Sequence, residues 1–380
     1  MVYRICLIIC SIFLTSSIIY AAKPKPKKPK AVVAKKKAPP PPPVQEEVAH
    51  DDATKEKSEE KMLPAIESDD TVNSFTADAE ESKIQFNIWS DLAVKGDLKS
   101  EKTSYDQAHL YLIAESQITE KLRGYSEIEY EHGAIAKEGG EIKVERALGE
   151  YAFTDWFKFR FGKMLNDYGL WNRYHWQPLT STVSNPFSVQ NKIIPKNGTG
   201  VALFGSFFLS DFEIGYSMYS HNGKGATPDK TDSNTLLAGG TDFFIDYKQK
   251  VRIGFSTWFD KNGLKGDRDE KIYVAYAKFA LSIIRLDGEY LMQTGDQNLF
   301  AWYVQPGLQL HDYIGLFYRF DYTDRDEVSA SNNYHMRHVG SFVFTPLTKL
   351  KFKAEYYYSR SDSQKIDHDK GILINLSIVY

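Results

Sequence analysis

The sequence predicts an all-β fold: an antiparallel transmembrane β-barrel of about sixteen strands, preceded by a disordered Lys/Pro-rich and then acidic segment. Three observations carry this expectation. From Ile84 onward, segments of about ten residues alternate apolar and polar side chains, with hardly a helical period between them. The connections between these segments alternate short with long. The charged side chains of the segments share one face, opposite the apolar one.

The chain has 380 residues, with 47 basic and 50 acidic side chains and a net charge of −3, which gives no reason to expect a nucleic-acid partner. Residues 1–22, MVYRICLIICSIFLTSSIIYAA, join a basic start at Arg4 to a long apolar run and a small-residue end at Ala21 and Ala22, the pattern of a secretory signal peptide. Tyr20 stands three residues before a cut after Ala22, where a small residue is usual, so an uncleaved anchor stays open. Cys6 and Cys10 both lie in this segment, and the remainder of the chain has no thiol for disulfide, metal or redox chemistry. Residues 23–82 open with KPKPKKPKAVVAKKKAPPPPP, which favours extended polyproline II and buries no core, and continue with an acidic stretch; both read as disordered spacer.

The barrel is expected over residues 83–380. Its candidate strands run Ile84–Val94, Tyr105–Gln117, Leu122–Glu131, Lys143–Phe153, Trp156–Lys163, Thr199–Phe208, Phe212–His221 and Gly240–Lys248. They continue with Lys250–Phe259, Lys271–Ala280, Ser282–Thr294, Leu299–Leu310, Tyr313–Thr323, Tyr334–Thr345, Lys349–Arg360 and Lys370–Tyr380. Short links such as Thr154-Asp155, Gln249 and His311-Asp312 alternate with longer ones around Lys95–Ser104, His132–Ile142, Met164–Gly198, Asn222–Gly239, Asp260–Glu270, Asp324–Asn333 and Ser361–Asp369. The link Gly295-Asp296-Gln297 breaks the alternation, being short where a long one is expected.

Facing follows from the period of two. In Lys349–Arg360, Leu350, Phe352, Ala354, Tyr356 and Tyr358 point outward and Lys351, Lys353 and Glu355 inward. The same phase sends Arg285, Asp287 and Glu289 inward from Ser282–Thr294, Arg319 and Asp321 from Tyr313–Thr323, Arg123, Glu127 and Glu129 from Leu122–Glu131, and Lys158 and Arg160 from Trp156–Lys163. A charge at the lipid midplane costs ~2–4 kcal/mol, so five strands agreeing in phase point to a wet lumen.

The last ten residues, GILINLSIVY, place Ile372, Ile374, Leu376, Ile378 and Tyr380 on one face and Asn375 and Ser377 on the other. This resembles the closing strand of bacterial outer-membrane β-barrels, in which such an aromatic serves as the assembly signal, the role the resemblance implies for Tyr380. The 164–198 connection, MLNDYGLWNRYHWQPLTSTVSNPFSVQNKIIPKNG, is the longest and the third on the long-loop side, and it resembles in position and length the loop that Gram-negative porins fold into their channel. The resemblance implies a passive diffusion channel for small hydrophilic solutes in the outer membrane. Loop 164–198 would be its constriction, residues 23–82 would lie in the periplasm, and the protein would be a homotrimer surrounded by lipid and lipopolysaccharide and delivered by the barrel assembly machinery.

On that reading Asp167, Tyr168, Trp171, Arg173, His175, Lys192 and Lys196 of the loop set the local field and surface. Lys158, Arg160, Arg285, Arg319, Lys351 and Lys353 oppose Glu127, Glu129, Asp287 and Glu355 on the wall. The loop carries more basic than acidic side chains, which predicts a small preference for anions. Two alternatives compete. One is an adhesin or structural envelope protein whose barrel anchors loops outside and tethers the cell wall, peptidoglycan included, through residues 23–82. The other is an outer-membrane lipid hydrolase. Neither Gly-x-Ser-x-Gly nor His-Glu-x-x-His occurs, and His335 and His338 fall on opposite faces of one strand, so neither an enzyme nor a cofactor or metal site is expected.

Overall fold

A computed structural model describes residues 84–133, 140–190, 193–223, 238–260, 269–295, 298–326, 334–361 and 367–380. The expected signal peptide (1–22), the spacer (23–82) and Lys192 lie outside the described residues. Sixteen strands follow one another along the chain. They are β1 (Ile84–Asp97), β2 (Lys102–Gln117), β3 (Leu122–Glu131), β4 (Glu141–Thr154), β5 (Phe157–Leu165), β6 (Asn197–Leu209), β7 (Phe212–His221) and β8 (Ala238–Tyr247). After these come β9 (Val251–Asp260), β10 (Glu270–Leu281), β11 (Ile284–Thr294), β12 (Asn298–His311), β13 (Ile314–Asp326), β14 (Tyr334–Leu347), β15 (Leu350–Ser361) and β16 (Asp367–Val379). A single helical turn, α1 (Phe187–Gln190), lies between β5 and β6.

Each strand pairs with its sequence neighbours, and β1 closes on β16 antiparallel from Trp89 against Val379 to Asp97 against Gly371. Closure leaves no strand edge, the condition for putting a sheet in lipid where water cannot satisfy backbone groups. The terminal strand faces as its pattern predicts: Ile372, Leu376, Ile378 and Tyr380 are exposed on the outer wall while Asn375 and Ser377 are buried inside. Outward Phe243, Ile245, Ile253, Phe255, Leu316 and Tyr356 continue the apolar band around the wall. Aromatic side chains gather at both rims, with Tyr151, Phe153, Trp156 and Phe157 in contact at one and Phe300, Trp302, Tyr322 and Tyr334 at the other.

One rim carries only tight turns, and there Ser210, Lys248, Gln249 and Ser282 take positive φ of 50 to 57°. The opposite rim carries the loops, with one correction. The long connection expected around Lys95–Ser104 is a turn at Leu98–Glu101, because β1 and β2 keep pairing as far as Asp97 against Lys102, beyond the alternating pattern. Asp97 closes it, accepting from the backbone N–H groups of Lys99 (2.8 Å) and Ser100 (3.1 Å) and from the Ser100 hydroxyl (2.6 Å). A second local feature bears on the lumen. The register of β3 with β4 slips between Glu127 and Ile128, so the successive residues Glu145 and Arg146 are both buried.

Candidate functional site

The connection between β5 and β6, residues 166–196, turns back into the barrel. Backbone folded into a lumen needs partners for its N–H and C=O groups, and the inward polar side chains of the wall supply them. Three stretches of wall are involved.

The first is β7 to β11. Glu289 accepts from the backbone N–H groups of Leu170 and Trp171, each at 2.5 Å, and the Ser256 hydroxyl accepts from that of Gly169 at 3.1 Å. Gly169 has φ of +59°, and a Cβ there would stand 3.0 Å from the Glu289 carboxylate, so glycine both suits the left-handed backbone and eases this close approach. Asp167 accepts from Ser217 Oγ at 2.6 Å and lies 3.6 Å from Arg160. Arg173 pairs with Asp242, which also accepts from Ser256 Oγ (2.6 Å) and Tyr276 OH (3.0 Å). Tyr168, Ile193 and Ile194 of the loop complete an apolar cluster with Trp258, Ile272, Val274, Leu291, Leu299 and Ala301, all facing inward. A dry core therefore lies inside the barrel, where the phase of the wall charges predicted only water.

The second stretch is β1 to β4. Trp176 donates its indole N–H to Glu127 at 3.0 Å, and Arg146 pairs with the same carboxylate while lying 5.2 Å from the Trp176 ring centre. Trp89 and Tyr111 stack at 4.4 Å beside it. His175 lies 2.7 Å from the Asn172 carbonyl through Nδ1, and burial pushes its imidazole well below the ordinary 6.5. The ring is neutral, and Nδ1–H is the donor. Lys196 reaches Glu145 at 2.9 Å and the Tyr111 hydroxyl at 3.4 Å.

The third stretch is β13 to β15. Lys353 donates to the Gln177 carbonyl (2.8 Å), Thr180 Oγ1 (2.8 Å) and the Thr182 carbonyl (3.1 Å). Glu355 accepts from the backbone N–H groups of Val183 (2.6 Å) and Ser184 (3.0 Å). Arg319 donates to Thr182 Oγ1 (2.5 Å), the Ser184 carbonyl (2.8 Å) and Asp321 (3.0 Å). Arg337 bridges Asp321 and the Asn185 carbonyl, and Lys351 donates to the Pro178 carbonyl. Of the wall charges read from the strand phase, Glu127, Glu289, Arg319, Lys351, Lys353 and Glu355 thus hold the loop directly. Lys158 is buried near the Phe204 ring, and Arg285 and Asp287 are half-buried further towards the turn rim.

Between the loop and the wall on that turn-rim side lies a cavity of 280 Å³, bordered by Trp171, Tyr174, Lys278, Arg285, Asp287 and Lys351 among others. Lys278 sits 4.5 Å from the Tyr174 ring centre. Three cations against one carboxylate make its charged lining positive.

Sequence reasoning missed Arg146, Asp242, Tyr276 and Arg337. Asp242 was open to the same phase argument, since Asp242, Phe244 and Asp246 are buried on alternate residues of β8. Arg146 carried no such signal, because the bulge shifts it out of phase.

Comparison with solved structures joins this geometry to known proteins. The anion-selective porin from Comamonas acidovorans superimposes with a TM-score of 0.62, 10% identity, and coverage of 79% of this chain and 100% of that one. OmpF of Salmonella typhi, in complex with daunomycin, gives 0.60 at 10% identity over 79% and 98% of the two chains. The outer membrane channel DcaP of Acinetobacter baumannii gives 0.58 at 12% identity over 79% and 97%. The fold is that of the outer-membrane porins. No family model matches the sequence. An uncharacterized protein of Aquifex aeolicus (strain VF5) is 35% identical over 122 residues, which span 31% of this chain and 27% of that protein, about a quarter of its length. Inside this barrel, loop 166–196 is bonded to three stretches of the inner wall and shares an apolar core with one of them.

Proposed function

We propose that the protein is a passive diffusion channel of the outer membrane for small hydrophilic solutes, with loop 166–196 as its constriction and a small preference for anions. The observation that carries this reading is the loop held inside a closed barrel by Glu289, Glu127, Arg319, Lys353 and Glu355. Fixed charge and diameter set selectivity in such a pore. Lys278, Arg285 and Lys351 around the turn-rim cavity favour anions, while Arg173 is neutralised by Asp242 and Lys196 by Glu145. The likeness to an anion-selective porin agrees with this sign. The turn rim, with Tyr380 as the assembly signal, faces the periplasm in this proposal, and three copies assemble as in trimeric porins. Purified protein in planar bilayers is expected to give stepwise conductance. Neutralising Lys196, Arg285 and Lys351 together should move the reversal potential in a KCl gradient towards cations; an unchanged potential rejects the anion preference.

A second reading draws on the dry core and on the loop's contacts with so much of the wall. In it the loop is a plug, and the barrel anchors an envelope protein tethered to peptidoglycan through residues 23–82. A wild-type barrel that inserts fully but passes no current favours this reading, and a steady ohmic conductance rejects it.

A further inference from the structure

The inner wall of β1 to β3 holds a group of side chains of which the channel reading uses Glu129 alone. Asp91, His109 and Glu131 face one another across three adjacent strands, and Glu129 lies one inward position below, opposite Tyr111. His109, Glu129 and Glu131 each offer one ligand atom, and these atoms lie within 4.8 Å of one another. Ligands around an ion with bonds of about 2.0–2.2 Å stand roughly 3–4 Å apart, so the three need to close by about 1 Å.

Two further observations set this group apart from a chance cluster of acids. Glu129 is 1% exposed, and the ion pair that its Oε2 makes with the Lys196 ammonium group is long, at 3.9 Å. A buried carboxylate paired at that distance gains from a cation that comes closer. His109 is also held as a ligand histidine is held. Its Nδ1 lies 3.0 Å from Asp91 Oδ1, and the same oxygen accepts the His109 backbone N–H at 2.8 Å. Asp91 is itself fixed by Asn375 Nδ2, which donates to Oδ2 at 2.6 Å. A carboxylate accepts only, so Nδ1 carries the proton and Nε2 turns towards Glu129, 3.9 Å from its Oε1.

We infer that His109, Glu129 and Glu131 form a binding site for a divalent transition-metal ion of the zinc class on the lumenal wall, with Asp91 as the positioning residue for His109. One imidazole nitrogen with two carboxylates suits such an ion better than magnesium or calcium, which prefer all-oxygen sets. The His109 and Glu131 side chains are 27% and 20% exposed, so an ion can reach them from the lumen. Lys143, paired with Glu131, and Lys196, paired with Glu145, compete with the metal for the same negative charge.

The test uses the full chain, purified in detergent and titrated with Zn²⁺ by calorimetry. Wild-type protein is expected to bind one Zn²⁺ that His109→Gln loses or binds at least tenfold more weakly. Asp91→Asn should weaken the same site about 10- to 100-fold, as loss of an orienting partner does. Lys196→Gln should tighten it several-fold by removing a competing cation, an effect that chance coordination by surface carboxylates would not show. Equal stoichiometry and affinity in wild type and His109→Gln overturns the site. If His109→Gln does not fold, Glu131→Gln gives the same discrimination. Binding is read without current, so a failed metal site and a failed channel are separate outcomes.

Discussion

The base of the lumenal loop and its middle are held by different physics. The base, with Tyr168 from one end of the loop and Ile193 and Ile194 from the other, packs into an apolar cluster against β9 to β12, whereas the middle, residues 177–185, is held almost wholly by Arg319, Lys353, Glu355 and Arg337. The apolar packing at the base gains from removing surface from water and is non-directional. The middle depends on charge-assisted hydrogen bonds, which are short and directional and leave costly unpaired groups when one partner is lost. One loop is therefore soft in one place and stiff in another.

The largest effect is expected at the apolar base of the loop. Trp258→Ala removes the biggest side chain of the apolar cluster and should cost about 3–5 kcal/mol in urea unfolding of the reconstituted barrel. A loss under about 1 kcal/mol would mean that the cluster is not a packed core. Lys353→Met at the middle of the loop leaves the Gln177 and Thr182 carbonyls to share the Thr180 hydroxyl as side-chain donor and should cost about 2–3 kcal/mol. On the channel reading it should also raise open-channel current noise, because the loop backbone is released there; Trp258→Ala should change noise less than stability.

Between the base and the middle, Trp176→Phe keeps an aromatic ring but deletes the N–H donated to Glu127, and about 1–2 kcal/mol is expected from the same unfolding measurement. A further effect is set by pH. Burial holds the His175 imidazole below its ordinary 6.5, so as pH falls below that value the unfolded chain takes up a proton that the folded loop refuses. The stability associated with a neutral His175 is complete above 6.5 and falls by up to about 1.4 kcal/mol per pH unit below it, until the folded ring titrates. His175→Phe should flatten the pH dependence of stability between about 5 and 6.5; an unchanged slope would assign it to other groups.

Much of the wall was legible in the sequence. Period-two alternation carries its meaning locally, so Arg319, Lys351, Lys353 and Glu355 could be assigned to the lumen, and Tyr356 and Ile372 to the outer face, one strand at a time. The site was legible only as a set of residues. That Lys353 and Glu355 hold loop backbone instead of facing solutes, and that Arg173 meets Asp242, depends on where a 166–196 loop lands on walls more than a hundred residues away in one case and about seventy in the other.

The sequence by itself determined a strand number of about sixteen, the direction most wall side chains face and the position of the longest loop, because these follow from alternation and turn chemistry within a few residues. Tertiary structure alone decided the bulge that turns both Glu145 and Arg146 inward, the dry core formed by Ile193 and Ile194, and the meeting of His109, Glu129 and Glu131. Each of these depends on the register between strands and on closure of the barrel, which bring together side chains that no local pattern relates.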